Sequence, residues 1–139
     1  MILDAKSVEA LIPQKRPFVM VGDLLMAEEN KLETNFNISK DNVLVENGEF
    51  STPGLIENIA QTCAAGFSYI AKQKEKDPQI GFIGSISKLT AYKRPKVGQK
   101  INTSVEVVTN FENITLIKGA NFCEGEILVE CYMKIVVVK

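Results

Sequence analysis

Histidine is missing: none of the 139 residues is His. With it go Ser-His and Cys-His catalytic pairs, His-ligated metal sites and the usual general base at neutral pH. Tryptophan is absent too, and aromatic residues make up only 7%. The 16 basic and 17 acidic side chains leave a net charge of −1, so no basic footprint points to nucleic acid. Three cysteines, Cys63, Cys123 and Cys131, are odd in number and form no CxxC pair. They suit core packing in a reducing compartment better than a disulfide framework or a zinc site. No apolar run approaches the ~20 residues that span a bilayer. The N-terminus, MILDAKSVEALIPQKRPF, lacks the charged and then uninterrupted apolar layout of a signal peptide. The expected location is the cytoplasm, and neither a cofactor nor a metal is expected.

What is present is an ordinary globular composition, 45% hydrophobic and 24% charged, in one domain covering residues 1–139. A short helix is expected at Ala5 to Leu11, after which Pro13 and Pro17 impose extended backbone. Phe18 to Ala27 is rich in apolar residues and reads as a strand. Leu32 to Ile38 alternates apolar and polar residues, as a half-buried strand does. Ser39 to Thr52 reads as a long connection. Pro53, behind the candidate caps Ser51 and Thr52, marks a helix start. That helix runs to about Lys76, where Asp77-Pro78 stops it. Its apolar residues cover much of the circumference for four turns, which predicts a largely enclosed helix. Strands follow at about Gln79 to Lys93, Gln99 to Phe111, Ile114 to Cys123 and Ile127 to Val138. Glu124-Gly125 makes the tight turn between the last two. The sum is an α+β domain, one long buried helix wrapped by an antiparallel sheet of five to six strands.

Three stretches carry a more specific resemblance. Leu11-Ile12-Pro13-Gln14-Lys15-Arg16-Pro17-Phe18-Val19-Met20-Val21 is similar to the LLPHRxPFLLVD opening of the hotdog-fold 3-hydroxyacyl-ACP dehydratases (FabZ/FabA-like). Ile56-Glu57-Asn58-Ile59-Ala60-Gln61 is similar to their central-helix segment, E-A-M-A-Q or E-Y-M-A-Q. Gly84-Ser85-Ile86 and Ala91-Tyr92-Lys93-Arg94-Pro95-Lys96-Val97-Gly98-Gln99 resemble the GIDxARFKRPVxPGDQ stretch. The short spacing before the helix looks nearest to the branch found in aryl-polyene and flexirubin pigment clusters. The resemblance implies a hotdog fold, acyl thioesters on acyl carrier protein or CoA as ligands, and a homodimer joined through the Phe82 to Tyr92 strand. It also implies that Lys93, Arg94 and Lys96 dock a carrier protein; the alternative is a solvated edge whose charges discourage aggregation.

The departures fall on the chemistry. The family's loop histidine in GHFPGxPxxPG corresponds to the shorter run Gly48-Glu49-Phe50-Ser51-Thr52-Pro53-Gly54, with Glu49 nearest the His position. The histidine of the opening motif is Gln14. The helix carboxylate, Glu57, keeps its matched place. Dehydration takes a proton from the carbon alpha to the thioester and delivers one to the beta-hydroxyl, and the family divides these tasks between His and the carboxylate. Glu57 precedes Gln61 by four residues, on one helix face. Desolvated on an apolar helix, it is a candidate acid or base; otherwise it is an early-turn acid favoured by the helix dipole. Glu49 is a substitute base, a partner of Glu57 in two carboxylates sharing a proton, or a solvated loop acid. Gln14 is a candidate substrate contact that cannot take a proton, or a surface polar residue; Gln61 is a candidate substrate contact or a structural hydrogen-bond donor at a helix packing contact. The N–H groups around Gly54 and Leu55, at the helix start, are candidate thioester-oxygen donors. Phe18, Met20, Leu24, Met26, Phe67, Phe82, Ile83 and Phe122 either line an acyl tunnel or fill the core. Three functions compete: a dehydratase-like enzyme without the usual His, an acyl thioesterase using Glu57, and a non-catalytic acyl or carrier-protein binding partner.

Overall fold

Residues 52–73 form the axis around which the chain folds. The computed structural model describes residues 1–77 and 80–138. Its elements are helix α1 (Ala5–Glu9), strands β1 (Leu24–Ala27), β2 (Lys31–Asn37), β3 (Val45–Glu46) and β4 (Glu49–Phe50), helix α2 (Thr52–Gln73), and strands β5 (Ile80–Ala91), β6 (Lys100–Phe111), β7 (Ile114–Cys123) and β8 (Glu126–Val138). Six strands make one antiparallel sheet in the order β1-β2-β6-β7-β8-β5, and α2 packs on one face of it. This is the α+β hotdog architecture. Among the described residues no helix is long and apolar enough to cross a membrane.

Strand periodicity explains the packing. Ile101, Thr103 and Val105 on β6, Ile117, Gly119 and Asn121 on β7, and Cys131, Met133 and Ile135 on β8 are buried, with more exposed residues between them. From the helix, Leu55, Ile59 and Cys63 are at most 1% exposed. Burying each such Leu or Ile contributes on the order of 1.5–3 kcal/mol. Close approach depends on Gly119: a Cβ there would lie 2.4 Å from the Ile59 Cγ2.

Several expectations meet the backbone closely. Ser51 is the N-cap of α2 and accepts a hydrogen bond from the Gly54 N–H, with Pro53 in the first turn. Glu124 and Gly125 both have positive φ (51° and 80°), the requirement of the tight hairpin turn between β7 and β8. The helix ends at Gln73, three residues short of Lys76. Glu75 turns left-handed (φ 54°), and the Lys76 N–H returns to the Ala71 carbonyl and the Glu75 N–H to that of Lys72. That closure stops the helix. Pro78 and Gln79, named in the expected helix stop and the expected next strand, lie outside the described residues. The first helix is shorter than its expected Ala5 to Leu11 span.

Three differences are larger. Only Leu24–Ala27 of the expected Phe18 to Ala27 strand pairs as a strand in the sheet; before it, Phe18 and Met20 are held by helix side chains and Gly22 and Asp23 by Asn35 of β2. The expected Ser39–Thr52 connection contains a small hairpin, β3–β4, turned by Asn47 and Gly48 at φ 52° and 78°. Finally, α2 is not enclosed within the chain. It rests on one sheet face, and Ile56, Ala60, Ala64, Phe67, Ile70 and Ala71 on its other side are only half-buried. That second apolar stripe is what made the helix read as surrounded.

Gly119→Val is expected to destabilise the fold by about 1–3 kcal/mol through overpacking against Ile59. Urea unfolding checks this as a lowered midpoint with an unchanged slope.

Candidate active site

The half-buried side of α2 forms the floor of an open groove of about 520 Å³. Glu57 and Gln14 line it together with Ala60, Cys63, Ala64, Phe67, Ile70 and Ala71 from the helix. Gly81, Phe82 and Ile83 of β5 and Ile135 and Val137 of β8 also line it, and Lys74, Lys76 and Glu29 lie at the end near the helix C-terminus. From Glu57 to Lys74 the helix advances about 25 Å, at ~1.5 Å per residue. Asn110 and Thr115 complete the lining, so the carboxylate belongs to a long trough of mixed apolar and polar walls.

Glu57 is half-buried, and its Oε1 accepts a hydrogen bond from Gln61 Nε2 at 3.0 Å. The four-residue spacing turns both side chains to one face, as expected. Gln61 also donates to the Phe18 carbonyl (2.9 Å) and accepts from the Met20 N–H (2.7 Å). One fully buried amide therefore joins the carboxylate to the segment that leads back to Gln14.

Asn58 is the residue whose importance the sequence did not signal clearly. Its position corresponds to Ala or Tyr in the motif that the segment resembles, yet it is 0% exposed and fully engaged. Its Nδ2 donates to the Met20 carbonyl at 2.7 Å, and its Oδ1 accepts from Thr103 Oγ1 and, at 3.4 Å, from Asn121 Nδ2. Asn121 donates in turn to the Leu55 carbonyl (2.9 Å). The first turns of α2, two central strands and the Met20 backbone thus meet at one buried side chain. The available signal was a polar residue on the core-facing side of an apolar helix.

The remaining candidates lie elsewhere or are already occupied. Glu49 is on β4, and its Oε1 pairs with the Arg94 guanidinium at 3.2 Å. The groove lining includes Glu57 but not Glu49, so one chain does not bring the two carboxylates together there. The expected free donors at Gly54 and Leu55 are engaged: the Gly54 N–H by Ser51 Oγ, the Leu55 N–H by the Ser51 carbonyl. Nor is Gly54 an open approach for ligand, because a Cβ there would meet the Phe50 ring at 2.6 Å. Lys93, Arg94 and Lys96 are exposed; Lys93 pairs with Glu126 at 3.3 Å. Of the eight tunnel candidates, Phe67, Phe82 and Ile83 line the groove, whereas Met20 and Leu24 are buried in the core. Phe18 is 60% exposed.

The cysteines are free and buried. Burial pushes the Cys63 thiol up to about 12, with Cys131 nearby adding to the effect, and the Cys131 thiol up to about 11. Among the described residues no group of three or more Cys, Asp or Glu side chains comes together to hold a metal ion.

Comparison with known proteins agrees with this geometry. The family model of the ApeP-like group, described as ApeP dehydratase, matches residues 6–138. The 3-hydroxyacyl-[acyl-carrier-protein] dehydratase FabZ of Oceanobacillus iheyensis is 27% identical over 135 residues, covering 93% of this chain and 94% of that protein. FabZ of Clostridium botulinum is 26% identical over 144 residues, covering 99% and 97%. Among solved structures, the dehydratase heterocomplex ApeI:P from Xenorhabdus doucetiae superposes with a TM-score of 0.88 at 16% identity, covering 100% of this chain and 93% of the other. A hypothetical thioesterase with coenzyme A from Streptococcus pneumoniae TIGR4 gives 0.68 at 10% identity and 84% of each chain.

Two outcomes are expected. Asn58→Ala strands the Thr103 hydroxyl, the Asn121 amide and the Met20 carbonyl, and at about 1–3 kcal/mol for a stranded buried group it costs roughly 3 kcal/mol or more; thermal and urea unfolding measure it. Because the Cys63 thiol is raised from 9.0 to about 12, its contribution to stability is complete below pH 9 and is lost as pH rises through about 12. Unfolding free energy followed from pH 8 to 11 should fall, and Cys63→Ser should flatten part of that fall.

Proposed function

Because the chain belongs to the ApeP-like dehydratase family, we propose that it is a dehydratase-like subunit that binds acyl thioesters and uses Glu57 as an acid or base. The observation that carries this reading is the place of Glu57, oriented by Gln61 in the wall of a long groove. In dehydration of a 3-hydroxyacyl thioester, a base takes the α-proton and the β-hydroxyl leaves with a proton as water. Glu57 serves the hydroxyl side of that exchange. The partner group for the α-proton comes from a second chain, since Glu49 is paired with Arg94 and the chain has no His.

The second chain docks along β5. This strand is an edge of the sheet, exposed from Gly81 to Ala91, and it presents Phe82, Ile83, Ile86 and Leu89 to solvent. Edge-to-edge pairing there, in a homodimer or with a related subunit, covers these side chains and walls the groove that Phe82 and Ile83 line. The solved ApeI:P neighbour is a heterocomplex, which favours the related subunit as the source of the missing base. In that arrangement this chain is a binding partner that supplies one carboxylate. Lys93, Arg94 and Lys96, directly beyond β5, form the docking patch for the acidic face or phosphopantetheine of an acyl carrier protein.

Thioester hydrolysis is the second reading. It rests on the single carboxylate and on fold likeness to the hypothetical thioesterase solved with coenzyme A.

Incubation of pure protein, alone and with a His-containing homologue, with 3-hydroxyacyl, 2-enoyl and saturated acyl thioesters separates these readings. Alkene formation without thiol release is the expected result, and thiol release instead would establish hydrolysis. Glu57→Gln is expected to lower the responding activity by about 10²-fold or more, within the range of acid–base catalysis. Full activity in that variant would refute the role of Glu57.

A further inference from the structure

The groove carries opposite charges towards its two ends. The sheet register shows which residues belong to which end. Asn121 of β7 donates to the Leu55 carbonyl, and Gly119 packs on Ile59, so β7 runs antiparallel to α2. Going back along β7, Gly119 to Thr115 covers about 13 Å of strand, the length of about nine helical residues. Thr115 therefore lies alongside the second half of α2, while Glu57 stands near its start. Ile135, Ile83 and Asn110 pair with Thr115 or with one another in the same row across the sheet, and all four residues line the groove.

Beyond this row lie Lys74 and Lys76. Glu75 turns the chain left-handed and the Lys76 N–H returns to the Ala71 carbonyl, which brings Lys76 back to a helix residue that itself lines the groove. Opposing the helix dipole accounts for a lysine in the last turn, but Lys72, which fits that account, is outside the lining. Lys74 meets Glu29 only at 3.8 Å, beyond hydrogen-bond length. Thr115 Oγ1 donates to Asn110 Oδ1, so the NH2 is what the Asn110 amide has left to offer. Two ammonium groups and an amide NH2, set against one carboxylate, make this end net positive and rich in donors.

We propose that the Lys74–Lys76 end of the groove binds an anionic group at the far end of a long acyl chain, so that the preferred ligands are ω-carboxyacyl thioesters. The proposal rests on the acyl-thioester reading above and adds the class of chain to it. With the thioester at Glu57, the terminal carboxylate meets the lysines; only a long chain spans the two. Reversed, that carboxylate would face the Glu57 carboxylate. A charge-assisted hydrogen bond in a partly open site corresponds to roughly tenfold in affinity.

The test measures binding, independent of turnover, by titration calorimetry on the purified full chain. The probes are hexadecanedioyl-CoA and hexadecanoyl-CoA, with succinyl-CoA and butanoyl-CoA as the short pair, each carrying an amide in place of the thioester. All share the CoA charges, so the ratio within a pair isolates the far end. Hexadecanedioyl-CoA is expected to bind roughly tenfold tighter than hexadecanoyl-CoA, with no such preference in the short pair. The double variant Lys74→Met, Lys76→Met should lose the preference while keeping affinity for hexadecanoyl-CoA, which also reports that it is folded. Glu29→Gln removes the opposing charge and should enlarge the preference; raised salt should shrink it. Equal affinities within the long pair, an equal preference in the short pair, or a preference that survives the double variant would overturn the proposal. Failure of every probe to bind would overturn the acyl-thioester reading, and the proposal with it.

Discussion

The backbone of Met20 is held at both ends of its hydrogen-bonding capacity by a helix that follows some forty residues later. Gln61 accepts from its N–H and Asn58 donates to its carbonyl. A backbone amide buried away from a sheet needs such substitutes, because an unpaired one costs as much as a lost hydrogen bond. The arrangement has two effects. It holds Phe18 and Met20 against α2 before Gly22 and Asp23 join Asn35 of β2, and the same Gln61 amide sets the Glu57 carboxylate. Thr103 and Asn121 tie the same hub to β6 and β7. The first turns of α2 therefore answer to the sheet beneath and to the Phe18–Met20 segment beside them.

Much of the fold was legible because local patterns and tertiary packing agree. The period-two alternation of Leu32–Ile38 and the four late strands matches a sheet with one covered face. Ser51 and Pro53 announce the helix, and Glu124-Gly125 announces its hairpin. The misreadings share a physical cause. Phe18–Ala27 has strand composition, but Phe18 and Met20 satisfy their backbone through Asn58 and Gln61, which composition cannot reveal. The second apolar stripe of α2 faces the groove, and hydropathy alone does not distinguish a groove from a core. The β3–β4 hairpin was signalled by Asn47-Gly48, but its strands have only two residues each, too short to show a period.

The site was legible in part. Glu57 and Gln14 emerged from their places in matched motifs, and both line the groove. Their neighbours did not follow, because side-chain partners depend on tertiary register. Glu49, the position nearest the absent histidine, is drawn to Arg94 across the docked β3–β4 hairpin. Gly54 and Leu55 occupy the helix start, but the cap that creates that start uses their N–H groups. A residue type suited to a task at the expected chain position is thus not yet a residue free to perform it.

The β5 edge is not straight. Its pairing with β8 shifts register between Ile83 and Ser85 and again between Ser87 and Thr90, and Lys88 in the second irregularity has a positive φ of 50°. Such bulges bend a strand and interrupt its outward row of hydrogen-bonding groups. A flat strand from an arbitrary chain therefore cannot pair along the whole edge; only one whose own path bends in step can. The kinks make an otherwise sticky margin a keyed one, protecting the free chain from indiscriminate sheet extension while leaving it open to a matching strand.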